Sequence, residues 1–235
     1  MLAVTWAGWL QLRPEVYHTG IGEQRSLTLE DGSTVTLNAR SRIKVRYSEG
    51  QRSIDLLEGQ ALFQVAKNPQ RPFVVEAGDA RVRAVGTAFD VRRARSSTVV
   101  TVVEGRVAVN VPPAVARAEA VHVPLPKRNE ALLGAGEQVV VTQHAVTTPE
   151  HANVANTLAW TRRSLVLATA SLPDVADELN RYAKKPWVIQ DPTLTGFHVS
   201  GVFSTTDSVP LLQFLRTQPE LIVEETDTEI RVRRK

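Results

Sequence analysis

The chain has 235 residues, with 28 Lys plus Arg against 25 Asp plus Glu and a net charge of +3; at about 100–200 residues per domain, that is one large domain or two small ones. Hydrophobic residues make up 43% and charged residues 23%, a globular rather than disordered composition, and the absence of cysteine excludes disulfides, thiol nucleophiles, iron–sulfur clusters and thiolate zinc sites. Basic and acidic residues number 15 and 11 over 1–110, 3 and 4 over 111–159, and 10 and 10 over 160–235, so no segment carries the dense basic field that nucleic acid requires. The local clusters Arg92-Arg93-Ala94-Arg95 and Arg231 to Lys235 read as a solvated loop and a solvated tail.

Met1 to Leu12 is almost entirely apolar and meets Arg13-Pro14-Glu15. As a helix it covers about 18 Å of a roughly 30 Å hydrocarbon layer, and Trp6 and Trp9 suit a membrane interface. Residues 1–16 are read as the remnant of a truncated transmembrane helix and its juxtamembrane segment, with a core strand or helix as the alternative.

Residues 17–142 read as an all-β domain. Leu27 and Leu29 alternate with polar residues, Asp31-Gly32 supplies a turn, and Val35 and Leu37 resume the alternation. Ile43, Val45 and Tyr47 repeat it up to Glu49-Gly50. Ile54 and Leu56, a turn at Glu58-Gly59, then Ala61, Phe63 and Val65 follow. Further strands are expected at 73–75, 82–85, 89–91, 99–103 and 107–111. Regular turn signals without a helical period predict a sandwich or roll of many short antiparallel strands. Residues 112–136 hold Pro112, Pro113, Pro124 and Pro126 and read as a loop or insertion; 137–142 reads as a returning strand and 143–159 as a linker.

From 160 to 235 the pattern is β-α-β-β-α-β-β, a small α+β domain with two helices on one sheet face. Ser171-Leu172-Pro173-Asp174 has Ser as N-cap and Pro in the first turn. Val175, Leu179, Tyr182 and Ala183 form one apolar face, ended by Lys184-Lys185-Pro186. Asp207 caps the second helix, with Pro210, Leu211 and Leu215. The last strand, Glu229 to Arg233, reads as an exposed edge able to accept another chain by backbone hydrogen bonding. Glu229, Arg231 and Arg233 are the candidate partner-binding residues.

Catalytic patterns are sparse. The histidines, His18, His122, His144, His151 and His198, are scattered without metal-ligand spacing. Gly20-Ile21-Gly22 and Gly134-Ala135-Gly136 lack the rest of a phosphate loop, and no Gly-x-Ser-x-Gly elbow occurs. The expectation is a non-enzyme with no metal and no cofactor.

Seven ordered motifs stand out: Gly22-Glu23; Leu29-Glu30-Asp31-Gly32-Ser33; Leu37-Asn38-Ala39-Arg40-Ser41; Leu57-Glu58-Gly59-Gln60-Ala61-Leu62-Phe63-Gln64-Val65; Arg71-Pro72-Phe73-Val74-Val75; Val85-Gly86-Thr87-Ala88-Phe89-Asp90-Val91; and Val103-Glu104-Gly105-Arg106-Val107. Together they closely resemble the FecR family of regulators of extracytoplasmic-function sigma factors. Residue by residue, Gly32, Gly59 and Gly105 suit reversals at positive φ, Phe63, Phe73 and Phe89 suit a core, and Asn38 suits a side-chain cap. Leu172-Pro173-Asp174-Val175, Glu178-Leu179-Asn180-Arg181-Tyr182 and Val199-Ser200-Gly201-Val202-Phe203 resemble the secretin/TonB short N-terminal domain.

The resemblance implies the periplasmic sensor region of an inner-membrane-anchored anti-sigma factor. Its partner would be the N-terminal signalling domain of a TonB-dependent siderophore receptor in the outer membrane. The sigma factor would be held only through a cytoplasmic region absent from this sequence, and the membrane met through the truncated helix. The alternative is an envelope carbohydrate- or assembly-binding β module, which should display surface aromatics. The resemblance also implies a possible single-turnover self-cleavage at Gly86-Thr87. A Thr hydroxyl can attack the preceding carbonyl, with proximity built in; Gly86 removes Cβ crowding, and Asp90 is the base nearest in sequence. The competing reading has Gly86 fitting a bend and the Thr87 side chain bonded to backbone.

Overall fold

The computed structural model describes residues 14–112, 130–143 and 145–235. The membrane-helix reading of Met1 to Leu12, most of the proline-rich loop, His122 and His144 lie outside these. The chain forms two compact units. One comprises the segment ending at Thr19, Arg25–Leu37 and Ser41–Val154. The other comprises Gly20–Gln24, Asn38–Arg40 and Ala155–Lys235.

The first unit is all-β. Its strands are β1 (Glu15–His18), β2 (Arg25–Thr28), β3 (Thr34–Leu37), β4 (Arg42–Tyr47), β5 (Arg52–Gln64), β6 (Phe73–Ala77), β7 (Ala80–Ala84), β8 (Ala88–Arg93), β9 (Thr98–Glu104), β10 (Arg106–Asn110), β11 (Glu130–Gly134), β12 (Glu137–Val141) and β13 (Glu150–His151). The turn at Asp31-Gly32 forms as predicted: Gly32 has φ +81°, and the Leu29 amide donates to the Ser33 carbonyl at 2.8 Å.

The 13-residue β5 organises the fold. Its first half pairs with β4 and, in parallel, with β6; its second half pairs antiparallel with β3 and β8. The sequence places two strands here with a turn at Glu58-Gly59. The structure has one strand with a bulge, because Gly59, at φ +89°, bends the chain without reversing it. The bulge inserts one residue and switches the inward phase: Ile54 and Leu56 are buried before it, Ala61 and Phe63 after it, and Leu57 and Glu58 are exposed between them. One strand thus joins a β11-β10-β7-β6-β5 path to a β5-β8-β9-β12-β13 path.

Phe63 is the centre of the enclosed core. Its ring stacks on Phe89 at 5.2 Å between centroids and meets Phe73 edge-on at 6.0 Å. All three rings are fully buried. Two sequence expectations change here. Residues 130–134 are a strand paired with β10, not loop. Residues 143–159 include β13, paired with β12, and a short helix α1 (Val154–Thr157), so they are not a plain linker. Arg93 is also not simply solvated: its guanidinium donates to the Leu56 and Leu57 carbonyls.

The second unit carries β14 (Ser164–Ser171), α2 (Leu172–Leu179), β15 (Trp187–Ile189), β16 (His198–Ser204), α3 (Val209–Arg216), β17 (Leu221–Glu225) and β18 (Ile230–Arg234), in the predicted order. There are two sheets, not one: β14 pairs with β16, and β15-β18-β17 form the other. Helix α2 touches strands of both. The Ser171 hydroxyl caps α2 by accepting from the Asp174 amide. The helix stops at Leu179, short of the predicted Ala183; the Tyr182 and Ala183 amides still donate to the Leu179 carbonyl in a closing turn, and Asn180 turns its side chain to the next strand. Its Nδ2 donates to the Trp187 carbonyl at 3.0 Å, and its Oδ1 accepts from the Trp187 amide at 2.7 Å. Within the same unit Asn38 Nδ2 donates to the Tyr182 hydroxyl at 2.8 Å, while its Oδ1 accepts from the Ala39 amide. Among the described residues no helix is long and apolar enough to cross a membrane.

Candidate functional site

Gly86-Thr87 lies in the short connection between β7 and β8. The chain on either side is held to the segment after β5: the Asn68 amide donates to the Val85 carbonyl at 2.9 Å, and the Val65 amide to the Thr87 carbonyl at 2.8 Å. Gly86 is not at positive φ. Glycine is required by close approach instead: a Cβ there would stand 2.9 Å from Cα and Cβ of Lys67. Gly105, in the β9–β10 turn at φ +80°, is also close to the peptide. A Cβ on Gly105 would stand 2.8 Å from Thr87 Cγ2 and 3.4 Å from the Gly86 carbonyl oxygen. Lys67 and Gly105 therefore both lie close against the Gly86–Thr87 peptide.

Thr87 itself is 8% exposed, and its hydroxyl is buried with no hydrogen-bond partner. A buried hydroxyl usually finds a partner, since leaving one unpaired costs about 1–3 kcal/mol. The side-chain-to-backbone bond of the competing reading is absent. Asp90, the base nearest in sequence, is also buried, and its carboxylate accepts from Gln60 Nε2 at 2.8 Å. It holds no hydrogen bond to Thr87. Lys67 and Gly105 are the residues that sequence reasoning did not connect with this peptide. Gly105 was visible as a turn glycine; Lys67 carries no sequence signal.

The second candidate surface is the strand holding Arg231 and Arg233. The expected free edge is corrected by the sheet order. β18 is the central strand, parallel to β15 on one side and antiparallel to β17 on the other, so its backbone is already paired. What it offers is a face. Ile230 and Val232 are buried, while Arg231 and Arg233 point the other way. Arg231 is ion-paired with Glu229, and Arg233 Nη2 lies 3.1 Å from Glu224 Oε1. Arg234 lies 3.8 Å from Glu220, so the basic terminus belongs to a strand with a charge ladder and is no free tail. Among the described residues no group of three or more His, Asp and Glu side chains could hold a metal ion.

The FecR protein family model matches residues 15–108. No curated protein matches the chain. Two crystal structures of a candidate anti-sigma factor from Parabacteroides distasonis ATCC 8503, at 2.50 and 1.65 Å resolution, share its fold. Each has a TM-score of 0.79, at 20% and 19% identity, covering 95% and 94% of this chain and 100% and 99% of theirs. Residues 15–108, in the β unit that encloses Gly86-Thr87, are thus similar to the FecR protein family.

Proposed function

We propose that this chain is the periplasmic sensor region of a FecR-type anti-sigma regulator, which relays a signal from a TonB-dependent siderophore receptor to an extracytoplasmic-function sigma factor. The observation that carries the reading is the FecR domain followed by a β-α-β-β-α-β-β unit. The rival glycan-binding reading needs exposed aromatic platforms. Trp160 and Trp187, the tryptophans among the described residues, are 4% and 3% exposed, which disfavours it. Residues 160–235 bind the receptor's signalling domain, and the charged face of β18, with Glu229, Arg231 and Arg233, contributes to the contact. The test is binding of the full chain to a panel of purified receptor signalling domains and to a glycan array. One signalling domain should bind, and Arg231→Glu with Arg233→Glu should weaken it about tenfold or more. Undiminished binding by residues 17–142 alone would overturn the assignment to the C-terminal unit.

A second activity is favoured by the orphan hydroxyl of Thr87. The chain cuts itself once between Gly86 and Thr87. Thr87 Oγ attacks the Gly86 carbonyl carbon, the C–N bond breaks, and the hydroxyl proton passes to the Thr87 nitrogen. An ester remains, and water hydrolyses it to a Gly86 carboxylate and a free Thr87 hydroxyl. Intact mass under denaturing conditions should show two fragments from the parent and one species from Thr87→Ala.

A further inference from the structure

We infer that Gly105 is a positioning residue for this cleavage: the missing side chain is the space that fixes the direction of the Thr87 hydroxyl. The inference rests on the self-cleavage reading. The observation is local and specific. Of all the atoms around Gly105, the nearest to a hypothetical Cβ is Thr87 Cγ2, at 2.8 Å, followed by Thr87 Cβ at 3.3 Å and the Gly86 carbonyl oxygen at 3.4 Å. Both halves of the reacting pair, nucleophile side chain and electrophile carbonyl, thus lie against the bare Cα of one residue.

The mechanical coupling follows from the geometry of threonine. Cγ2 and Oγ are both fixed to Cβ, and a β-branched side chain has few χ1 wells. A group that displaces Cγ2 therefore rotates Oγ by the same angle. Attack needs the nucleophile held in a near-attack geometry, where a displacement of about 1 Å costs on the order of a hundredfold in rate. A methyl at 105 cannot coexist with Cγ2 at 2.8 Å. It must turn the side chain, and with it the hydroxyl, or push the Gly86 carbonyl away. Gly105 touches neither bond that breaks nor the proton that moves. It acts through Thr87.

Gly105 also occupies a left-handed turn position at φ +80°, which alone favours glycine. The experiment separates the two roles. Four proteins are compared: the parent, Gly105→Ala, Thr87→Ser, and the double variant Gly105→Ala/Thr87→Ser. Serine keeps the hydroxyl and lacks Cγ2, so the double variant carries the same backbone strain at 105, and the same contacts at 3.3 and 3.4 Å to the residue-87 Cβ and the Gly86 carbonyl oxygen, but not the 2.8 Å clash. The readouts are the first-order rate of appearance of the 1–86 and 87–235 fragments by denaturing intact mass, and the circular dichroism spectrum.

Gly105→Ala should slow cleavage about tenfold or more, and the double variant should cleave within about threefold of Thr87→Ser. Parental rates in Gly105→Ala overturn the inference while leaving self-cleavage standing. So does a folded double variant that is not rescued. If Gly105→Ala does not fold, the double variant decides: folded and cleaving supports the role, whereas an unfolded double variant places the need for glycine in the backbone alone and overturns it. A parent that stays intact removes the self-cleavage reading, and this inference with it.

Discussion

Arg52 and Asp31 form an ion pair at 2.6 Å inside the β unit, with side chains 1% and 7% exposed. Arg52 lies on the inward phase of β5, where its neighbours are Ile54 and Leu56, and its guanidinium lies 5.4 Å from the centre of the Phe73 ring. It also donates to the Arg71 and Ala66 carbonyls, at 2.8 and 2.9 Å. Asp31 accepts further bonds from the Ser33 amide and hydroxyl and from the Tyr47 hydroxyl. The pair ties the Asp31-Gly32 turn to residues 66–71, the segment whose Lys67 lies against Gly86.

Arg52→Met removes one member of this pair and leaves a carboxylate buried without its cation. The expected loss is about 3–5 kcal/mol of unfolding free energy, as for other buried pairs broken on one side. Denaturant unfolding of parent and variant measures it. A loss below about 1 kcal/mol would show that Ser33 and Tyr47 satisfy Asp31 without Arg52.

The same site makes part of the stability acid-sensitive. Burial pushes the Asp31 carboxyl up, but the hydrogen bonds from Ser33, Arg52 and Tyr47 outweigh it, and the net position is below the ordinary value of 3.8. Tyr47 is displaced the opposite way, upward, by burial and by its bond to Asp31. Because the folded carboxyl holds its proton less tightly than the unfolded one, its contribution is complete above the unfolded value and is lost as pH falls through the lower folded value. Denaturant midpoints of the parent should therefore fall below pH 3.8 more steeply than those of Asp31→Asn, and the gap between the two proteins should narrow. A gap constant with pH would contradict this.

The Asn180 side chain, just past α2, bonds both polar groups of the Trp187 backbone. Asn180→Ala orphans that amide and carbonyl and should cost about 1–3 kcal/mol. Hydrogen exchange gives a residue-specific check: the Trp187 amide should lose protection, while Asn180→Asp, which keeps the acceptor, should retain much of it.

What the sequence revealed and what it hid divide along one physical line. Local signals were legible. Gly32, Gly59 and Gly105 all have positive φ, Phe63, Phe73 and Phe89 are the aromatic core, and Ser171 caps α2. Non-local pairing was not. Gly59 carries the same signal whether the chain reverses or merely bends, and the partners that decide, β3, β6 and β8, lie elsewhere in the chain. The terminal strand reads as an edge because its parallel partner β15 lies more than forty residues upstream. At the candidate site, Gly86 and Thr87 were visible as a motif. The buried, unpartnered state of the hydroxyl and the glycine facing it depend on where β9 and β10 fold back.

A cut between residues 86 and 87 divides the β unit's sequence but not its core. β5 lies before the cut and β8 after it, and they pair from Gly59 with Arg93 to Gln64 with Ala88. β7, before the cut, pairs with β10 after it. Across the same division Phe63 stacks on Phe89, Gln60 bonds Asp90, and the Thr98 hydroxyl donates to the Ala77 carbonyl at 2.9 Å. Interfaces of this kind, buried and continuous with a sheet, behave as a domain core cut in half. Residues 1–86 and 87–235 produced as separate chains in one cell should therefore associate in a 1:1 ratio, whether or not the intact chain cleaves itself. With an affinity tag on 1–86 alone, 87–235 should co-purify through gel filtration and separate only in denaturant. Phe63→Ala removes the ring that both fragments share and should weaken retention by about 3–5 kcal/mol. Recovery of 87–235 in the unbound fraction, with both chains expressed, would show that the two halves of the core cannot assemble from separate chains.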